Sequence, residues 1–294
     1  TGFSWTDAFT TLQPALDIAA QGCDIWVAEG TYKTESIYDL EIFYNDTTRN
    51  YHFRMINGVG IYGGFSGGET ELGQRNVVSN ETILSGDIGI PGNISDNCYH
   101  VIYNTAQTPA IDNTAILDGF TITGGNADGN GMEIHGGGMR NSSSSPSVFN
   151  CKFMANKAED GGGMYNSTAC SPVVKNCSFV QNQAGLFGGG MDNENGAHPV
   201  LSGCEFISNE AYYGGAINCN EASQDLVNCL IYGNTGYYGG AFCNMYGILS
   251  LTNCTVSGNT ALTSGEDDGW GGAFCNLASE ATLSNCIVRD NEAV

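Results

Sequence analysis

From residue 136 onward the chain repeats itself about every 25 residues, and a period of that length defines a stack of like units rather than a single-copy fold. Gly-Gly-Gly-Met stands at 136–139, 161–164 and 188–191, Gly-Gly-Ala-Ile at 214–217, and Gly-Gly-Ala-Phe at 239–242 and 271–274. The last residues of these motifs, Met139, Met164, Met191, Ile217, Phe242 and Phe274, are spaced 25, 27, 26, 25 and 32 apart. Cys151, Cys177, Cys204, Cys229, Cys254 and Cys286 keep step with them. Two residues after each Cys comes Phe153, Phe179, Phe206, Ile231, Val256 or Val288, and three further on Asn156, Asn182, Asn209, Asn234, Asn259 or Asn291.

The apolar runs are too short, and too rich in β-branched and aromatic residues, for helical repeats. A unit of about 25 residues with two or three short strands is one coil of a parallel β-helix. The expected fold is therefore all-β: a right-handed parallel β-helix with about three short strands per coil. The expected organisation is one domain over 1–294, with a helical cap at 1–23, irregular coils at 24–135, and regular repeats from 136 that continue beyond the last residue. Roughly nine to eleven coils would extend about 45–55 Å.

Alternation along a strand assigns directions within a coil. Val148, Val174, Leu201, Leu226, Leu251 and Leu283 precede the Cys by three and point inward, as do the Cys and the residue two after it. The parity breaks between them, so a bend lies there. The residue just before the Cys is Asn150, Asn176, Gly203, Asn228, Asn253 or Asn285, the types that best tolerate a left-handed backbone. The Asn156–Asn291 column sits at the next corner, and Asn141, Asn166, Asn193, Asn244 and Asn276, with Cys219 substituting once, form another. Stacked at coil spacing, such side chains can bond up the stack as ladders. The inward cysteines read as reduced, buried thiols, because in-register parallel strands aim both side chains the same way. Cys243 and Cys275, each one residue past an inward Phe, face outward and are the candidate disulfide.

Before residue 136 the repeat is blurred. Ser4 is a candidate cap for a helix over residues 6–20 with Phe9, Leu12, Leu16 and Ala19 on one face, placed to cover the open end of the stack. Strands are expected at Asp24–Ala28 and at residues 51–56, 60–62, 81–84, 99–103 and 115–123, with a surface excursion over 33–49.

Lys and Arg number 9 against 31 Asp and Glu, a net charge of −22. That excludes phosphate backbones as partners, so nucleic acid is not expected, and no apolar run is long enough to insert in a membrane. Divalent cations suit such a surface, and Ca²⁺ is the candidate cofactor. Two acidic, Gly-bearing loops carry the candidate ligands: Asp128 in one, and Glu266, Asp267 and Asp268 in the other, the only long insertion among the repeats. Tyr212, Tyr213, Tyr237, Tyr238 and Trp270 lie outside the core register just before the Gly-Gly strands. Of these, Tyr213, Tyr238 and Trp270 are candidates for stacking on a glycan.

The two commonest chemistries of this fold need groups the sequence does not bring together. A lyase needs a basic residue beside a carboxylate cluster, and no Arg or Lys is seen next to one on a single face. A glycoside hydrolase needs carboxylates converging on one bond; Asp118, Glu159 and Asp160, and the 266–268 run, are the available ones. His52, His100, His135 and His198 are scattered, as surface or turn residues are. No catalytic or cofactor-binding residue is assigned.

Two sets of motifs carry a resemblance. Phe153-Met-Ala-Asn156 and Gly214-Gly-Ala-Ile217, one of each kind per coil, resemble the polymorphic outer-membrane protein repeats. Ser4-Trp-Thr-Asp-Ala-Phe9, Ile25-Trp-Val-Ala-Glu-Gly-Thr-Tyr32, Asn57-Gly-Val-Gly-Ile-Tyr-Gly-Gly-Phe65, Leu84-Ser-Gly-Asp87 and Leu117-Asp-Gly-Phe-Thr-Ile122 are similar to the N-terminal coils of secreted bacterial right-handed β-helix proteins. The resemblance implies an extracellular or cell-surface setting, a structural or adhesive role without catalysis, surface proteins or glycans as partners, and further domains in a longer chain. The alternative is a polysaccharide lyase or hydrolase of the pectate-lyase-like type.

Overall fold

The computed structural model describes residues 2–35, 48–105, 109–263 and 269–294. It is a right-handed parallel β-helix. Two nine-stranded parallel sheets run its length, the first from Asp24–Ala28 to Glu280–Ser284 and the second from Gly30–Lys33 to Ile287–Arg289. A third sheet has seven strands, from Ile102–Asn104 to Phe274–Leu277. Nine coils, the fewest the repeat suggested, put about 40 Å between the first and the last at strand spacing, somewhat short of the expected length.

The predicted bend is present in every repeat. Asn150, Asn176, Asn228, Asn253 and Asn285 have φ of 50–55° and Gly203 has 63°. Gly119, φ 86°, makes the same bend one coil earlier and splits the expected strand 115–123 into Ile116–Asp118 and Thr121–Thr123. Two further left-handed corners recur: Ala155, Gln181 and Ser208 before the Asn column, and Ser143, Thr168, Asn195, Glu221, Tyr246 and Ala278 after the third sheet.

Inside, like sits on like. Phe153, Phe179 and Phe206 stack with ring centroids 4.8 and 4.6 Å apart and planes within 4°. Phe179→Ala removes the middle ring of a fully buried column, and urea unfolding should show a loss of about 3–5 kcal/mol. The corner asparagines form the expected ladder. Asn156, Asn182, Asn209, Asn234 and Asn259 each donate from Nδ2 to Oδ1 of the next, at 2.8–3.1 Å. Each also donates to a carbonyl of the preceding coil, such as Asn209 to Phe179 at 2.9 Å. The second ladder starts at Asn104, one coil earlier than expected, and runs through Asn141 and Asn166 to Asn193. At Cys219 it weakens to an N–S contact of 3.8 Å, and Gln224 accepts the thiol proton instead.

The N-terminal cap is shorter than expected. Only Gln13–Ile18 is α-helical, after a 3-10 turn at Trp5–Asp7. Pro14 explains the difference: a proline inside a helix removes a bond and clashes with the preceding turn, so the helix begins there. Leu12 and Leu16 still bury against the first coils with Val27 and Val59, while Phe9 is exposed. Of residues 51–56, only Phe53 pairs, with Ile102.

Candidate functional site

Two places on the outside of the coil gather functional groups. The first is the corner between the first two sheets, where a cleft of about 260 Å³ is lined by Glu81, Thr121, Asn150, Lys152 and Asn176, among others. Behind it Arg75 reaches across 43 residues to Asp118, its Nη2 2.6 Å from Oδ2. Arg75 Nη1 donates to the carbonyls of Gly63 and Asp118, and Asn150 Nδ2 donates to the other Asp118 oxygen at 2.8 Å. Glu81 accepts from Thr121 at 2.9 Å. The sequence reading saw no basic residue beside a carboxylate cluster; the structure sets Arg75 on one carboxylate, Asp118, behind a cleft that Glu81 lines. Arg75 arrives from the excursion between coils, where the repeat gives no register. Both Asp118 oxygens are engaged, so Asp118 fixes Arg75 and the bend rather than acting as a base; the Lys152 amine is the cleft's basic group without such an anchor.

The second place is the outer face of the third sheet. Its outward row in register is Tyr103, Arg140, Tyr165, Asp192, Asn218, Cys243 and Cys275. All but Cys275 are buried, so this face is covered. The Gly-Gly motif is the reason. Gly188, Gly214 and Gly239 have φ of 60–78°, which turns the preceding segment back over the strand, and a Cβ there would lie 2.0–2.2 Å from a backbone oxygen.

The cover is aromatic. Tyr213 is sandwiched between Phe187 and Tyr238, at 5.0 and 4.9 Å, and Tyr212 stacks on Tyr237 at 5.0 Å. Trp270 closes the column edge-on to Tyr238 at 5.5 Å and 66°, and is 56% exposed. Of the three candidate glycan-stacking residues, Tyr213 and Tyr238 spend their faces on neighbours, whereas Trp270 keeps open surface.

Beneath the cover lies a layer of ionisable groups that the sequence reading missed. His135 stacks on Tyr165 at 4.5 Å and its Nδ1 is 2.9 Å from Asp160 Oδ2. Tyr165 donates to Glu194 at 2.9 Å. His52 and His100, read as surface residues, are buried against Tyr103 with ring centroids 5.1 and 5.0 Å away. Covered strands shield residues that alternation alone assigns to solvent. Glu159 is exposed and Asp160 buried, so this pair does not converge on one bond.

Asp192 is fully buried, accepts from Asn218 Nδ2 at 2.7 Å, and has its second oxygen unpartnered. Burial, then the Glu194 charge, pushes its pKa well above the ordinary carboxylate value. The unfolded chain releases this proton near pH 3.9, while the fold retains it to higher pH. The resulting stability is full below the unfolded value and is lost as pH rises through the folded one. Asp192→Asn, which keeps an acceptor for Asn218 and carries no charge, should be more stable than the natural chain at about pH 8 and should flatten the fall in urea midpoint between about pH 4 and about pH 8.

Of the candidate metal ligands, Asp128 alone lies among the described residues. Asp128 pairs with Arg49 and accepts from Asn126 at 2.9 Å, which engages both carboxylate oxygens. Glu266, Asp267 and Asp268 lie outside the described residues. Among the described residues no cluster of three or more His, Cys, Asp or Glu is placed to hold a metal. All twelve cysteines are free thiols, with Cys243 and Cys275 side by side in register.

No family model and no curated protein matches the chain. A solved structure, that of the pectate lyase Pel9A, superimposes on 100% of this chain and 75% of its own, with a TM-score of 0.51 and 14% identity. At that identity the likeness is one of fold: the chain is a parallel β-helix of the pectate-lyase-like architecture. No described helix is long and apolar enough to cross a membrane.

Proposed function

We propose that the chain is an extracellular, non-catalytic β-helical rod that presents its faces to surface glycans or proteins. The observation that carries this is the column of rings ending in Trp270. A half-open indole, held by its backbone to Tyr237 at 3.1 Å and backed by Tyr238, is a fixed apolar platform of the kind a sugar ring stacks on. The unbroken Asn156–Asn291 ladder supports the rod: each of these coils is bonded to the next at a fixed corner. The repeat motifs resembling polymorphic outer-membrane proteins support the extracellular setting. With a net charge of −22, the partner is a neutral glycan or one bridged by Ca²⁺. Binding to a glycan array should fall at least tenfold in Trp270→Ala while the unfolding midpoint stays unchanged; equal binding by the variant removes Trp270 from the reading, and binding to no glycan removes the glycan.

The corner cleft favours a second reading, a polysaccharide lyase, in which Lys152 takes a proton beside a uronate carboxylate and Arg75 stands behind the cleft. Turnover of a polyuronate that is lost in Lys152→Ala would replace the first reading with this one.

A further inference from the structure

We propose that Cys243 and Cys275 are a covalent modification site, closed to a disulfide by a thiol–disulfide oxidant and stapling two adjacent coils together. The two are direct partners on adjacent parallel strands. That spacing, about 4.8 Å, lies inside the Cα range of disulfides, roughly 4.4–6.8 Å, and as in any in-register parallel pair the two side chains must rotate toward each other to close it. Both belong to the outward row of the third sheet, Cys243 buried at 2% exposure and Cys275 partly open.

Their surroundings set them apart from the other stacked cysteines. The inward thiols are tied to the backbone. Cys177 donates to the Val148 and Lys175 carbonyls at 3.5 and 3.3 Å, and Cys254 to Leu226 and Thr252 at 3.5 and 3.3 Å. They also accept amide protons, as Cys177 does from Cys151 N at 3.4 Å. Oxidation there would break bonds that the core needs. Inward thiols also bond to one another, Cys204 to Cys229 and Cys229 to Cys254, but Cys243 and Cys275 bond to each other without a tie to any backbone carbonyl among the described residues. That bond draws the Cys275 thiol down to about 7, while the same bond and burial push Cys243 up. Cys275, the more open of the two, is therefore the thiolate that meets an oxidant. The link also spans the longest spacing between regular coils, the 32 residues from Phe242 to Phe274, where closing the loop restricts the unfolded chain most.

The chemistry balances with a small disulfide such as oxidised glutathione. Cys275 thiolate attacks one glutathione sulfur and expels the other as a thiolate, leaving a mixed disulfide. Cys243 gives its proton to the expelled thiolate, attacks Cys275 Sγ and displaces the second glutathione. Two protein thiols are oxidised to one disulfide, and one glutathione disulfide is reduced to two thiols.

The test is to incubate the folded chain with oxidised glutathione, quench in acid, alkylate in denaturant, and map the peptides by mass spectrometry. The expected result is ten alkylated cysteines of the twelve, one Cys243–Cys275 crosslink, and a higher urea midpoint than the reduced chain. Cys275→Ser should abolish both the crosslink and the gain in midpoint. Twelve alkylated thiols, or a crosslink between any other pair, overturns the proposal.

Discussion

Asn209→Ala should cost about 4 kcal/mol and split unfolding into two transitions. Its carboxamide accepts from both the backbone N and Nδ2 of Asn182 at 3.0 Å, and donates to Phe179 O and Asn234 Oδ1 at 2.9 Å. Alanine removes all four bonds and leaves the buried Asn182 N–H with no acceptor. A buried donor left unmade costs about 1–3 kcal/mol beyond the bonds themselves. Because each coil touches only its neighbours, the loss falls at one coil boundary and uncouples the two halves of the stack. Asn209→Asp separates the roles of the two atoms. It keeps the acceptor, loses both donors and buries a charge, so it should be worse than alanine at neutral pH and recover in part in acid. Urea unfolding followed by circular dichroism reads both variants; one cooperative transition at the natural midpoint would show that the ladder holds nothing.

Gly215→Ala should do more damage than its single methyl suggests, above about 4 kcal/mol and enough to prevent recovery of folded protein. A Cβ at Gly215 would lie 2.3 Å from the Thr235 carbonyl oxygen and 2.4 Å from that of Gly240, both backbone atoms of the next coil. Neither can move without opening the coil spacing. Gly190 is the control. Its counterparts in the next coils are Ala216, Ala241 and Ala273, so a Cβ has a place in that column. Gly190→Ala should cost under about 1.5 kcal/mol, with the clash against Phe206 and the Ala216 oxygen at 2.7 Å relieved by a small shift. Equal effects at the two positions would mean that the glycines serve chain flexibility rather than close approach.

The repeat made the stack legible because period, Cys column and Asn columns are local signals copied six times. One left-handed corner per coil was readable since Asn and Gly stand there. The corner at Ala155, Gln181 and Ser208 was not, because those types carry no such preference, although Gly233 and Gly258 in the same column hinted at it. The pairing of Arg75 with Asp118, and of Arg49 with Asp128, joins excursions to coils across 43 and 79 residues, where no periodicity fixes a neighbour. The covered outer row was missed for a different reason. Alternation tells which side of a strand a residue takes, and it is silent on whether a turned-back segment then shields that side, as the segments before Gly188, Gly214 and Gly239 do. Cys243 thus reads as outward and is buried, together with Asp192 and Asn218 in the same row.

A rod that binds glycan without turning it over is told from a lyase by binding and turnover measured together. The purified chain should be incubated with a panel of polyuronates and neutral polysaccharides, with and without Ca²⁺, while binding, unsaturated-product absorbance and reducing ends are followed together. The expected result is retention on at least one glycan with no new unsaturation and no new reducing ends. Release of either product, abolished by Lys152→Ala, would contradict it.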